Sequence, residues 1–248
     1  MTARKNILLL GGTGEAVELN RYLNSLPSVN LITSLAGRTN KPTSLEGEVI
    51  WTGFAKFGGL SEYLKDRNVH LVVDMTHPFA SVISPKAADT CSRLSIPYLR
   101  FERPAWKPLV GDRWISVEDL KSACRACEPY TRLFLSIGRQ EISCFLCLTG
   151  KLIFIRSIEP IDVEGSANEI RNIIGRGPFS LEDELVFLKD QGINVLITKN
   201  SGGDATYAKI EAARQLQIPV VMIDRPYSPP QNAFTDIEDL KRSLMLYV

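Results

Sequence analysis

The sequence predicts an α/β protein with mainly parallel sheets flanked by helices, and three observations predict it. Short apolar runs of strand length alternate with stretches of helical periodicity along most of the chain. The run Asn6–Leu10 ends in Gly11-Gly12-Thr13-Gly14 and continues into apolar residues at helical spacing over Glu15–Ser25. A second apolar run, Asn194–Lys199, ends in Asn200-Ser201-Gly202-Gly203 and is again followed by a helical stretch. Parallel strands require crossover connections, so helices are expected on both faces of the sheets.

After the first strand, glycine turn and helix, Val29–Leu35 reads as a second strand and Val49–Trp51 as a short third. Leu60–Arg67 reads as a helix, and His70–Asp74 as a buried strand running into Thr76-His77-Pro78-Phe79. Ser84–Leu94 reads as a helix with Pro85 in its first turn, where a missing N–H loses no bond. Tyr98–Phe101 is the next strand. Glu102–Pro108 carries Pro104 and Pro108 and has no periodicity, so the domain boundary is expected there, giving residues 1–105 and 106–248.

In the second half, Ser116–Cys127 reads as a helix, and Arg132–Ile137 and Lys151–Ser157 as strands. Ser180–Gln191 reads as a helix capped by Ser180, with Asp183 three residues on. Asn194–Lys199, a helix over Asp204–Gln215 and the strand Val220–Ile223 follow. Ile237–Leu246 reads as a terminal helix with Leu240, Leu244 and Leu246 inward. Strand, glycine loop and helix thus recur in both halves, which implies two Rossmann-like lobes with an active-site cleft between them.

Composition narrows the function classes. The chain has 248 residues, 44% of them hydrophobic, enough for two real cores. Its 29 Lys and Arg against 28 Asp and Glu leave a net charge of +1, which argues against a nucleic-acid binder working through a global positive field. The apolar run after Lys5 is too short for a signal-peptide core or a membrane span, so a cytoplasmic protein is expected. The five cysteines are then expected to be reduced thiols. Cys124-x-x-Cys127 and Cys144-x-x-Cys147 have the spacing of a four-thiolate zinc site. Against that, the first pair lies in a helical stretch and neither pair has the flanking Gly or Pro of a zinc knuckle. Small, buried, apolar cysteines and no metal are the expectation.

Gly11, Gly12, Thr13 and Gly14 sit where backbone N–H groups and a helix dipole can receive a pyrophosphate. The fingerprint is imperfect, because Val17 stands where a third Gly or Ala is usual; a tight strand-to-helix turn without ligand is the other reading. The second strand ends in Ser34-Leu35-Ala36-Gly37-Arg38-Thr39. No carboxylate is there for a ribose 2′-hydroxyl, whereas Arg38, with Ser34 or Thr39, suits a 2′-phosphate, so NADP is preferred over NAD.

Thr76–Phe79 lies at the carboxyl edge of the sheet, where doubly wound folds bind ligands. His77 can donate a proton, bond a cofactor group, or simply cap and pack; His70 reads as structural. Lys199–Gly203 offers an ammonium, polar side chains and backbone amides to an anion, and Arg139 holds a similar post-strand position. Either could instead only cap the helix that follows. No tyrosine has a lysine four residues later, and neither a nucleophile elbow nor a nucleotide-hydrolysing P-loop is present.

Taken together, Leu8–Glu15, Ser34–Arg38, Asp74–Ala80, Ile96–Arg100, Ile137–Gln140 and Thr198–Gly203 resemble, in order, the motifs of the precorrin-6A reductase family of cobalamin synthesis. The resemblance runs along the chain. It implies NADPH and a tetrapyrrole meeting between two lobes, with a hydride reducing one double bond of the macrocycle. Gly12, Thr13, Gly14 and Glu15 would hold the cofactor, Arg38 would read its 2′-phosphate, and Thr76, His77, Pro78 and Phe79 would lie near ribose or nicotinamide. Arg139, Lys199, Asn200, Ser201, Gly202 and Gly203 would face the substrate, and solvent or His77 would supply the proton. A macrocycle rich in acetate and propionate groups suits those donors. A non-catalytic NADP-sensing module and a reductase of another polycarboxylate are the rival readings.

Overall fold

The structure is a computed structural model that describes residues 4–35, 45–161, 163, 166–226 and 232–248. Arg38 lies outside the described residues. The chain divides into two compact units, Met1–Arg103 with Tyr227–Val248, and Pro104–Pro226.

The first unit is a five-stranded sheet in the order β3-β2-β1-β4-β5, from β1 (Lys5–Leu10), β2 (Val29–Ser34), β3 (Glu48–Ile50), β4 (Leu71–Asp74) and β5 (Tyr98–Arg100). Every pairing is parallel. The register sets Leu10 beside both Ser34 and Asp74, so the loops after β1, β2 and β4 leave from one edge.

Side chains of a strand alternate in direction, and β1 feeds two cores. Ile7 and Leu9 pack with Leu19 and Leu23 of α1 (Gly14–Asn24) and with Leu240 and Leu244 of the terminal helix (Ile237–Leu244). Leu8 and Leu10 pack with Leu60 and Leu64 of α2 (Leu60–Asp66) and with Ala87 and Cys91 of α3 (Ile83–Leu94). Each such leucine contributes about 1.5–3 kcal/mol by leaving water.

The terminal segment therefore belongs to the first unit, although chain order groups it with the second half. Phe234 forms a parallel bridge with Phe101, accepting from Glu102 N–H and donating to the Arg100 carbonyl. Leu246, expected inward, is 83% exposed because the helix ends at Leu244.

The second unit is a six-stranded parallel sheet in the order β6-β11-β10-β7-β8-β9. Its strands are β6 (Trp114–Val117), β7 (Arg132–Ser136), β8 (Leu152–Ser157), β9 (Glu169–Ile174), β10 (Val195–Lys199) and β11 (Val220–Ile223). Helices α4 (Leu120–Ala126), α5 (Leu181–Asp190) and α6 (Ala208–Gln215) cover it, and the terminal helix of the first unit is α7. Phe134, Phe154, Leu188, Leu196, Ile210 and Met222 form part of its core. Ser180 caps α5 as expected, its side chain accepting from Asp183 N–H at 3.1 Å.

Three elements of this unit depart from the expectation. Trp114–Val117 is a strand paired with β11, and the helix begins only after Asp119, whose carboxylate accepts from Ser122 N–H at 2.7 Å. The helix before β11 begins at Ala208 rather than Asp204. β9 escapes a pattern search because it is an edge strand with one neighbour, largely exposed, and carries an exposed Glu169–Arg171 ion pair at 2.6 Å. No described helix is long and apolar enough to cross a membrane.

Candidate functional site

At the carboxyl edge of the first sheet, the glycine loop and the loop after β4 face each other. A Cβ built on Gly11 would come within 2.8 Å of Leu35 Cδ2, the end of a side chain that would have to shift to admit it. A Cβ on Gly12 would lie 3.8 Å from His77 N, which measures how close the two loops run, while nothing lies within 4 Å of one on Gly14. Open space therefore stands before the N-terminus of α1, where the first amides have no partner within the helix and attract an anion.

Thr13 couples the two loops. Its Oγ1 accepts from Ala16 N–H at 3.3 Å as the N-cap of α1 and donates to the Met75 carbonyl at 3.1 Å. A Thr13→Ala variant is expected to lose about 1 kcal/mol with the cap, read as a Tm lower by roughly 2–4 °C in thermal unfolding. An unchanged midpoint would refute that coupling.

Glu15 Oε1 lies 3.6 Å from Arg103 Nη1. Its Oε2 and Arg103 Nε are buried and have no hydrogen-bond partner among the described residues. A buried carboxylate oxygen in that state calls for a hydroxyl or amide donor, both of which a dinucleotide carries.

Behind the Thr76–Phe79 loop lies a buried polar network. Arg100 Nη1 donates to Asp74 Oδ1 at 2.6 Å and to Thr76 Oγ1 at 2.9 Å, and its Nη2 donates to Glu102 Oε2 at 3.0 Å. Asp74 also accepts from Thr76 N–H at 2.9 Å and from the Tyr98 hydroxyl at 2.7 Å, and Thr76 Oγ1 meets Ser84 Oγ at 2.8 Å. Asp74, Arg100 and Glu102 are each no more than 3% exposed. His77 Nδ1 accepts from Phe79 N–H at 3.2 Å, which fixes the ring over a tight turn.

Sequence reading gave no role to Tyr98, Arg100, Glu102 or Arg103. The available signal was Arg100 and Glu102, two residues apart in extended backbone and therefore on one face, at the end of a buried strand. His70, read as structural, accepts from Asn6 N–H through Nδ1 at 3.1 Å, away from this edge.

In the second unit, β7 and β10 are neighbours in register, so the segments after them emerge together. The segment after β7 is a 3₁₀ turn, Arg139–Phe145. Its Glu141 ion-pairs with Lys199, and Arg139, largely exposed, lies 3.8 Å from Glu159.

The Asn200–Gly203 loop is shaped by residues that sequence reading missed. The Asn200 amide accepts from Trp106 N–H at 2.8 Å and donates to the Trp106 carbonyl at 3.1 Å, so Asn200 holds the loop. Trp106 Nε1 donates to the Gly203 carbonyl at 2.9 Å, and Arg225 donates to the carbonyls of Asn200 and Ser201 at 3.0 and 3.3 Å. Gly202, at φ +69°, would put a Cβ 2.1 Å from the Pro104 carbonyl oxygen, so no other residue fits. Nothing in local sequence ties Trp106 or Arg225 to this loop.

The four cysteines of the paired motif come close in space. Cys127 is buried, as expected, but Cys147 is exposed and Cys124 only partly covered. Among the described residues, no group of three or more His, Cys, Asp or Glu is arranged to hold a metal ion.

Comparison with known proteins bears on the whole chain. The family model described as precorrin-6x reductase CbiJ/CobK matches residues 6–245. A precorrin-6A reductase of Rhodococcus erythropolis is 42% identical over 231 residues, which cover 93% of each chain. A cobalt-precorrin-6A reductase of Methanocaldococcus jannaschii is 29% identical over 95% of this chain and 96% of its own. A solved structure titled CobK precorrin-6A reductase superposes with a TM-score of 0.88 at 33% identity, covering 98% of this chain and 97% of that one.

Proposed function

Because the chain belongs to the precorrin-6x reductase CbiJ/CobK family, we propose that it is a cytoplasmic precorrin-6A reductase that uses NADPH. The observation that carries this reading is the likeness along nearly the whole chain to reductases of that name. Greater identity to the relative named for the cobalt-free substrate than to the one named for its cobalt form supports the metal-free macrocycle. The five free thiols suit a reducing compartment.

NADPH, when bound, would supply the hydride that reduces one double bond of precorrin-6A, and a proton would complete precorrin-6B. Everything else falls to the chain. The amides of Gly11–Glu15 and the dipole of α1 favour the pyrophosphate. Glu15 Oε2 would accept from a cofactor hydroxyl or amide, with Arg103 offsetting its charge. Arg38 would pair with the 2′-phosphate. Thr76, His77, Pro78 and Phe79, held from behind by Asp74 and Arg100, would border the nicotinamide half, and His77 or solvent would supply the proton. Arg139 and the Lys199–Gly203 loop receive substrate carboxylates, with Lys199 exchanging Glu141 for one of them.

The test is NADPH consumption by purified protein offered precorrin-6A, then cobalt-precorrin-6A, with NADH as control. Oxidation of NADPH with precorrin-6A and little of NADH is the expected result. Tight NADPH binding without oxidation by either macrocycle would replace the enzyme with a dinucleotide-sensing module.

A further inference from the structure

Four thiols are left over from the reductase reading, and their arrangement is asymmetric. Cys124 on α4 and Cys147 after the 3₁₀ turn have their sulfurs 4.0 Å apart, in van der Waals contact. Both thiols donate to one acceptor, the Cys144 carbonyl, at 3.0 Å and 2.8 Å, which turns them toward each other. Cys144 Sγ is directed elsewhere, to the carbonyls of Leu120 at 3.7 Å and Glu141 at 3.5 Å. Cys127 and Cys91 are buried, whereas Cys147 is exposed and can meet a soluble reagent.

We propose that Cys147 and Cys124 form a thiol–disulfide exchange site for low-molecular-weight disulfides, with Cys147 as the attacking thiol and Cys124 as the resolving one. The Cys147 thiolate attacks one sulfur of RSSR, forming the Cys147–SR bond and breaking S–S; the released RS⁻ takes up a proton. The Cys124 thiolate then attacks Cys147 Sγ, forming the Cys124–Cys147 bond and expelling the second RS⁻. Two protein thiols are oxidised and one RSSR is reduced to two RSH. The proposal does not depend on the reductase reading.

Burial pushes the Cys124 thiol up to about 12, so its thiolate is scarce at neutral pH and the second step is the slow one. That step should therefore quicken about tenfold for each unit rise in pH below that value. The bridge would tie α4 to the segment that carries Arg139 and Glu141, and so restrain the partner of Lys199. It would also close a loop containing β7, which constrains the unfolded chain and raises the unfolding midpoint.

The experiment treats the full chain with oxidised glutathione, counts thiols in denaturant and maps the cross-linked peptides. The expected result is a fall from five free thiols to three, reversed by dithiothreitol, with Cys124 linked to Cys147. Cys124→Ser should stop at a glutathione adduct on Cys147, Cys147→Ser should lose no thiol, and Cys144→Ser should behave as the parent. A Cys144–Cys147 link, a stable adduct on the parent, no thiol loss, or bound zinc shielding the thiols would each overturn the proposal.

Discussion

An Arg100→Met variant loses about 3–5 kcal/mol of folding free energy, read as a Tm lower by on the order of 10 °C. Methionine fills much of the arginine's volume, so packing is nearly kept and charge is what changes. Asp74 and Glu102 then share a buried site without the guanidinium that bonds both. Since Arg100 also bonds Thr76, KM for the proposed dinucleotide should rise more than kcat falls. Equal unfolding midpoints for parent and variant at neutral pH would remove the network from both roles.

Glu184→Gln tests the second buried pair. Glu184 is 1% exposed and takes both terminal nitrogens of Arg156, with Arg156 Nη2 at 3.0 Å from Oε2. The guanidinium lies 4.2 Å from the ring centre of Phe179 and 4.7 Å from that of Phe134, and its Nε has no partner among the described residues. A glutamine there leaves a cation that cannot deprotonate in a nearly dry aromatic site, costing about 3–5 kcal/mol. The double variant Arg156→Met with Glu184→Leu removes the charge pair together and should be close to neutral or stabilising by about 1–4 kcal/mol. A double variant as damaged as the single one would show that shape, not charge, governs the site. Phe179 in turn packs on Gly175 and Gly177, and a Cβ on Gly177 would sit 3.0 Å from the Ala205 carbonyl. The pair thus supports a loop that lies against the chain just beyond Gly203, and macrocycle KM should rise in the single variant.

How much of this was legible in the sequence depended on the range of the interactions concerned. The glycine turn between Leu10 and Gly14, the Ser180 cap and the apolar runs of β1, β4, β10 and β11 rest on neighbours a few residues apart, and periodicity reports them directly. The nearness of the glycine loop to Thr76–His77 was legible because parallel strands with a common register must release their loops at one edge.

What only the tertiary structure decided was settled by partners far along the chain. Trp114–Val117 is a strand because β11 offers it a ladder, and β9 is a strand because β8 does, whatever their own patterns suggest. The Asn200 amide serves the backbone of Trp106, and Asp74 meets Arg100 across neighbouring strands, pairings that no window of sequence contains. The terminal helix returns to the first unit because Leu240 and Leu244 complete the core that Ile7 and Leu9 begin. Local periodicity specifies which face of an element is apolar; which other element covers that face is decided only when the whole chain competes for burial.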